Sequence, residues 1–106
     1  MIMKNNKNNK NNSDLDLKLK EFLCEIGEED IWIADGLSDA FLGVCNIGSS
    51  NVAVYSTAII VLQLMDEGMS YEEAEEHLHF NIMGVDLGEK TPVYIDLIPS
   101  DYWKNN

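Results

Sequence analysis

Apolar residues recur along the chain at two periods. Leu15, Leu19, Phe22, Leu23 and Ile26 follow the 3.6-residue spacing of one helix face, with Ser13 placed three residues before Asp16 as a cap and Gly27 as the stop. Residues 28–35 hold Ile31, Trp32 and Ile33 between acids, which fits a short helix or an irregular stretch better than a strand. Two short apolar runs, 40–45 and 52–55, flank a linker of Gly, Ser and Asn, and this predicts a hairpin. The linker 46–51 is long enough to form a mobile loop.

Beyond Ser56, a second cap candidate, Ala58, Ile59, Ile60, Val61, Leu62, Leu64 and Met65 make a helix that is apolar nearly all round and so has to be buried on most sides. Gly68 ends it. Ser70-Tyr71-Glu72-Glu73 is a capping box for the next helix, so the two helices meet at a tight corner. At about 100° per residue, Tyr71, Ala74, Leu78 and Ile82 form an inward stripe, while Glu72, Glu73 and Glu76 point to water. Gly84 and Gly88 break the chain and Pro92 fixes the next entry. Val93, Ile95 and Leu97 then alternate with Tyr94, Asp96 and Ile98 as a last strand closed by Pro99.

These elements predict an α+β domain in which a small three-stranded sheet, a hairpin plus a returning strand, is covered by an N-terminal helix and a two-helix corner. The strand order is open. The expected organisation is a disordered Asn/Lys-rich tail at 1–12, a single domain at 13–100 and a C-terminal tail at 101–106. So small a sheet has exposed edges, which makes a homodimer through an edge or a helix face an expected assembly.

Composition narrows the function. The 106 residues carry 19 Asp and Glu against 7 lysines and no arginine, a net charge of −12. Without the first twelve residues the balance is 19 acids against 4 lysines, or −15. Such a surface repels phosphate backbones and anionic leaflets, so direct nucleic-acid binding and membrane association are not expected. The uncharged stretch 40–65 is broken by Asn46, Gly48, Ser49, Ser50 and Asn51, leaving too short an apolar run for the ~20 residues of a spanning helix. The opening Met-Ile-Met followed by Lys and Asn has no apolar h-region, which points to the cytoplasm. Cys24 and Cys45 show no metal or redox spacing and are expected to be reduced thiols filling the core.

Candidate chemistry is sparse. His77 and His79 diverge by about 200° on a helix, so they do not aim at one ion; Glu73 with His77 has the right spacing but no third ligand near in sequence, and no metal or other cofactor is expected. No nucleophile motif is present, and no catalytic residues are assigned. Two glycine-containing loops could cradle an anion through backbone amides: Gly48, Ser49 and Ser50 in one, Lys90 and Thr91 in the other. The clearest feature is acidic. Residues 21–39 hold seven acids and no base, and 66–76 hold six acids and no base. Glu28, Glu29, Asp30, Asp66, Glu67, Glu72, Glu73 and Glu76, with Trp32 as an aromatic anchor, are the expected contacts for a basic protein partner.

The pieces AFLGV at 40–44, VAVY at 52–55, MSYEEAEEHLHFNIMG at 69–84 and LGEKTPVYI at 87–95 resemble a group of small proteins encoded by tailed bacteriophages and prophages. The resemblance covers a little over half the chain and attaches no reaction, cofactor or catalytic residues. It implies a viral accessory protein acting in the host cytoplasm, with a host-defence component among the expected targets. Two functions follow as expectations: a non-enzymatic protein that binds and blocks a basic host protein through its acidic faces, or a small-molecule binder that sequesters a nucleotide signal in the glycine loops at a dimer interface.

Overall fold

A computed structural model describes residues 10–104 of the chain. Helix α1 spans Lys10–Glu25, strands β1 and β2 span Phe41–Ile47 and Ser50–Ser56, and helices α2 and α3 span Thr57–Asp66 and Tyr71–His77. Strand β3 is Val93–Ile95, and α4 is a single turn, Asp101–Lys104. The sheet order is β1-β2-β3, with β1 antiparallel and β3 parallel to β2. This is the α+β fold with a three-stranded sheet that the patterning predicts.

Several local expectations shift. α1 begins at Lys10, so Ser13 lies inside the helix, and residues 1–9 of the expected tail lie outside the described residues. Gly27 does end the helix, in the left-handed conformation at φ 83° that glycine adopts without steric cost. Phe22 and Ile26 are about half exposed, and Leu23 is the apolar residue α1 buries fully. Asp16 is no cap partner: it is 3% exposed and accepts from the Gly36 amide at 2.9 Å and from the Ser38 hydroxyl. The expected mobile loop at 46–51 is a two-residue turn, because Asn46 pairs with Asn51 and Ile47 with Ser50, leaving only Gly48 and Ser49 unpaired. β3 stops at Ile95, short of the expected end. Cys24 is exposed and Cys45 half-buried, both as free thiols, so Cys24 does not fill the core.

The core gathers Ala34, Leu37 and Ala40 from the stretch before β1, Ala53 and Tyr55 from β2, Ile60, Val61 and Leu64 from α2, and Ala74, Leu78 and Ile82 from α3 and the turn after it. Aromatic rings cross all three strands. Tyr55 meets Phe41 of β1 edge-on and stacks on Tyr94 of β3, each with centroids 5.8 Å apart. The stretch 28–37 is irregular, and its buried backbone groups need partners from elsewhere. The Ala34 amide donates to the Tyr55 hydroxyl at 2.7 Å, and the Gly36 carbonyl accepts from Gln63 Nε2 at 2.6 Å.

Two predictions follow from this core. Tyr55→Phe keeps the ring but orphans the Ala34 amide, and urea denaturation should show a loss of about 1–3 kcal/mol with an unchanged m-value. Burial pushes the Tyr55 phenol up and the Tyr94 phenol up to about 12, from 10.0. Both raised groups favour folding while neutral, so that stability is complete below pH 10 and is lost as the pH rises towards 12. Alkaline unfolding followed by circular dichroism should therefore coincide with tyrosinate formation by these two residues; free ionisation of all tyrosines near pH 10 in the folded state would contradict it.

Candidate functional site

The acidic helix α3 is built from its first residue. Ser70 accepts from the Glu73 amide at 3.1 Å, and the Glu73 carboxylate accepts from the Ser70 amide at 2.8 Å, the predicted capping box. Glu72 and Glu76 are exposed, with Glu72 and Glu73 beside the positive end of the helix dipole. Past His77 the helix widens into a π turn, Leu78–Ile82, closed by the Met83 amide on the Leu78 carbonyl at 2.7 Å. Such widened turns recur at functional sites because they re-aim side chains. Here Leu78 and Ile82 stay in the core while Phe80 is 78% exposed. Gly84 lets the chain fold back closely after this turn, since a Cβ there would lie 2.9 Å from the Phe80 carbonyl oxygen.

α3 presents two working faces. One is a shallow concavity of about 410 Å³ lined by Met69, Glu73, Glu76, His77, Phe80 and Asn81, with His77 Nδ1 and Asn81 Nδ2 3.0 Å apart. The other closes one side of a groove of about 580 Å³ between α2, α3 and β3. Its floor and walls are Val61, Leu62, Met65, Leu78, Met83 and Leu97, and its polar rim is Tyr71, Glu75, His79 and Asp96, with no lysine in the lining. Glu75 Oε1 is 3.5 Å from His79 Nε2 across one helical turn, and the hydrogen bond from Tyr71 to Glu75 raises the Tyr71 phenol. On the β3 side, the Thr57 hydroxyl donates to the Asp96 carboxylate.

The groove corrects two expectations. Tyr71 belongs to the outer rim, 58% exposed, and not to the inward stripe that Ala74, Leu78 and Ile82 do form. α2 is not buried on most sides, because Leu62 and Met65 face the groove at 61% and 38% exposure. The pair that the structure brings together is Glu75 with His79, where the sequence singles out Glu73 with His77; the i,i+4 spacing is common to both. Among the described residues no group of three or more His, Cys, Asp or Glu side chains gathers as a metal site.

The expected partner contacts divide between two parts of the molecule. Asp66 and Glu67 end α2 and Glu72, Glu73 and Glu76 lie on α3, so the corner brings these five together. Glu28, Glu29, Asp30 and the 43% exposed Trp32 lie in the stretch after α1, where Glu28 accepts from Asn51 of the hairpin at 2.8 Å. Among the described residues no lysine pairs with any of these carboxylates.

The two glycine loops do meet, but around carboxylates. Ser50 donates to Glu89 at 3.1 Å, and the Gly88 amide to Asp86 at 2.8 Å. The Thr91 hydroxyl accepts from the Leu87 amide and donates to the Gly88 carbonyl, which ties it into its own turn. Gly48 and Ser49 form the tight hairpin turn, and Lys90 sits next to Glu89 in the other loop. Acceptors thus occupy the Ser50 and Thr91 hydroxyls and the Leu87 and Gly88 amides.

No family model, no curated protein and no solved structure matches this chain. No helix among the described residues is long and apolar enough to cross a membrane.

Removing the cap oxygen tests how far α3 depends on its first turn. Ser70→Ala should cost about 1 kcal/mol in chemical denaturation, leaving the fold intact by circular dichroism. A loss within experimental error would mean that packing alone holds the helix.

Proposed function

We propose that this chain is a non-enzymatic accessory protein, of the kind carried by tailed phages, that acts in the host cytoplasm by binding and blocking a basic protein through the α2–α3 corner. One observation carries the reading: Phe80, 78% exposed on the π turn, projects beside Glu73 and Glu76 on a face whose lining has no lysine. A large exposed aromatic beside two carboxylates suits a partner with an apolar pocket inside a cationic surface, because the ring supplies anchoring area and the acids steer and orient.

Stability does not account for two of the acids at the corner. Asp66 and Glu67 sit exposed at the C-terminal end of α2, where the dipole disfavours negative charge, and the described residues supply no cation to offset them. Residues that add nothing to the fold yet extend one sign of charge across the same corner are best explained by a partner. The alternative, nucleotide sequestration in the glycine loops, draws little support from a site where the Ser50 hydroxyl and the Gly88 amide already donate to Glu89 and Asp86, carboxylates that repel a phosphate.

The test is affinity capture from bacterial lysate with three forms of the full chain: the parent, Phe80→Ala and the Glu72→Lys/Glu76→Lys double variant. These substitutions leave the core and the capping box untouched. The parent should retain a basic protein that is released as salt screens the contact, and both variants should lose it. A nucleotide-dependent thermal shift sensitive to Ser49 and Lys90, with no captured protein that responds to the helix charges, would overturn the proposal.

A further inference from the structure

α2 is apolar nearly all round, yet its own chain covers only one side of it. Ala58, Leu62 and Met65 line the open groove, joined by Met83 and Leu97. The segment that leaves the wall of this groove carries what is missing. Beyond Leu97, Ile98 is 65% and Trp103 60% exposed, and α4 buries no residue at all. Lys104 ends the turn, its Nζ 5.6 Å from the centroid of the Trp103 ring. A four-residue helix has no stability of its own. An exposed tryptophan on such a turn gains order and burial only from a surface against which it packs.

The charges at the far end of the turn agree with the shapes. The groove rim carries Glu75 and Asp96 without a lysine, and the turn, which opens on Asp101, ends on a cation beside its aromatic anchor. In its own chain Trp103 does not line the groove, although the chain leaves from Leu97 in the groove's wall. A second copy removes that restriction, since a two-fold arrangement lets each copy offer its turn to the other's groove in two identical contacts.

We infer that the chain forms a two-fold homodimer in which α4 of each copy fills the α2–α3–β3 groove of the other, Trp103 packing against Leu62, Met65 and Met83 with Lys104 directed to Glu75 and Asp96. This interface is separate from the Phe80 face and stands whether or not that face binds a basic partner.

Sedimentation velocity of the full chain over a range of concentrations tests it, with Trp103→Ala and Leu62→Lys as variants. Both residues are exposed in the single chain, so neither change touches the core. The parent should dimerise, and each variant should weaken the dimer by roughly 30-fold or more, the weight of a hot-spot residue. Mixing the two variants gives the sharper result. The Trp103→Ala chain keeps an intact groove and the Leu62→Lys chain an intact turn, so the mixture should recover a heterodimer through one of the two contacts. A parent that stays monomeric at every concentration overturns the inference. So does a dimer indifferent to both substitutions, which would point to the open edge of β1, or a mixture that recovers nothing.

Discussion

A stretch of backbone with no regular structure runs through the core of this protein, and the fold depends on satisfying its polar groups. Ala34 and Leu37 are almost fully buried, so the peptide groups around them cannot turn to water. Three side chains from three elements meet the need: Asp16 of α1 binds the Gly36 amide, Tyr55 of β2 the Ala34 amide, and Gln63 of α2 the Gly36 carbonyl. Each of these contacts spans at least twenty residues of sequence. They tie helix, sheet and corner to one irregular segment, and Gln63 leaves its own Oε1 buried without a partner in doing so.

That arrangement decides what is left outside. The 34–40 stretch, β2 and α3 bury one face of α2, and a groove opens where Leu62 and Met65 face α3 and β3. α3 then borders two concavities of different character. One is apolar with a carboxylate rim, and the other is a shallow acidic face around Phe80. The π turn separates them, since it keeps Leu78 and Ile82 in the core while placing Phe80 in solvent. A regular helix would present a different residue at that point.

The acidic balance has to be read against this geometry. Some of the carboxylates are structural: Asp16 holds a buried turn, Glu28 holds the hairpin, Glu73 completes a cap, and Asp86 and Glu89 occupy the donors of the glycine loops. Others have no such internal role: Asp66 and Glu67 at the end of α2 and Glu72 and Glu76 on α3 flank one corner, and Glu29 and Asp30 lie exposed after α1. The one-sided composition therefore conceals two populations, one bound into the fold and one exposed to solvent.

Local chemistry was legible in the sequence wherever neighbouring residues decide the outcome. The Ser70–Glu73 box, the glycine stop after α1, the hairpin and the inward positions Ala74, Leu78 and Ile82 depend on spacing alone, and they stand where the pattern predicts. The tertiary structure alone decided the rest. It turned Asp16 from an apparent cap residue into a buried anchor, shortened the expected loop to two residues, brought the glycine loops together around carboxylates and left one side of an all-apolar helix open. The reason is physical. Periodicity records which residues avoid water, whereas the partner that removes them from it, or that satisfies a buried amide, lies dozens of residues away and leaves no trace in local spacing.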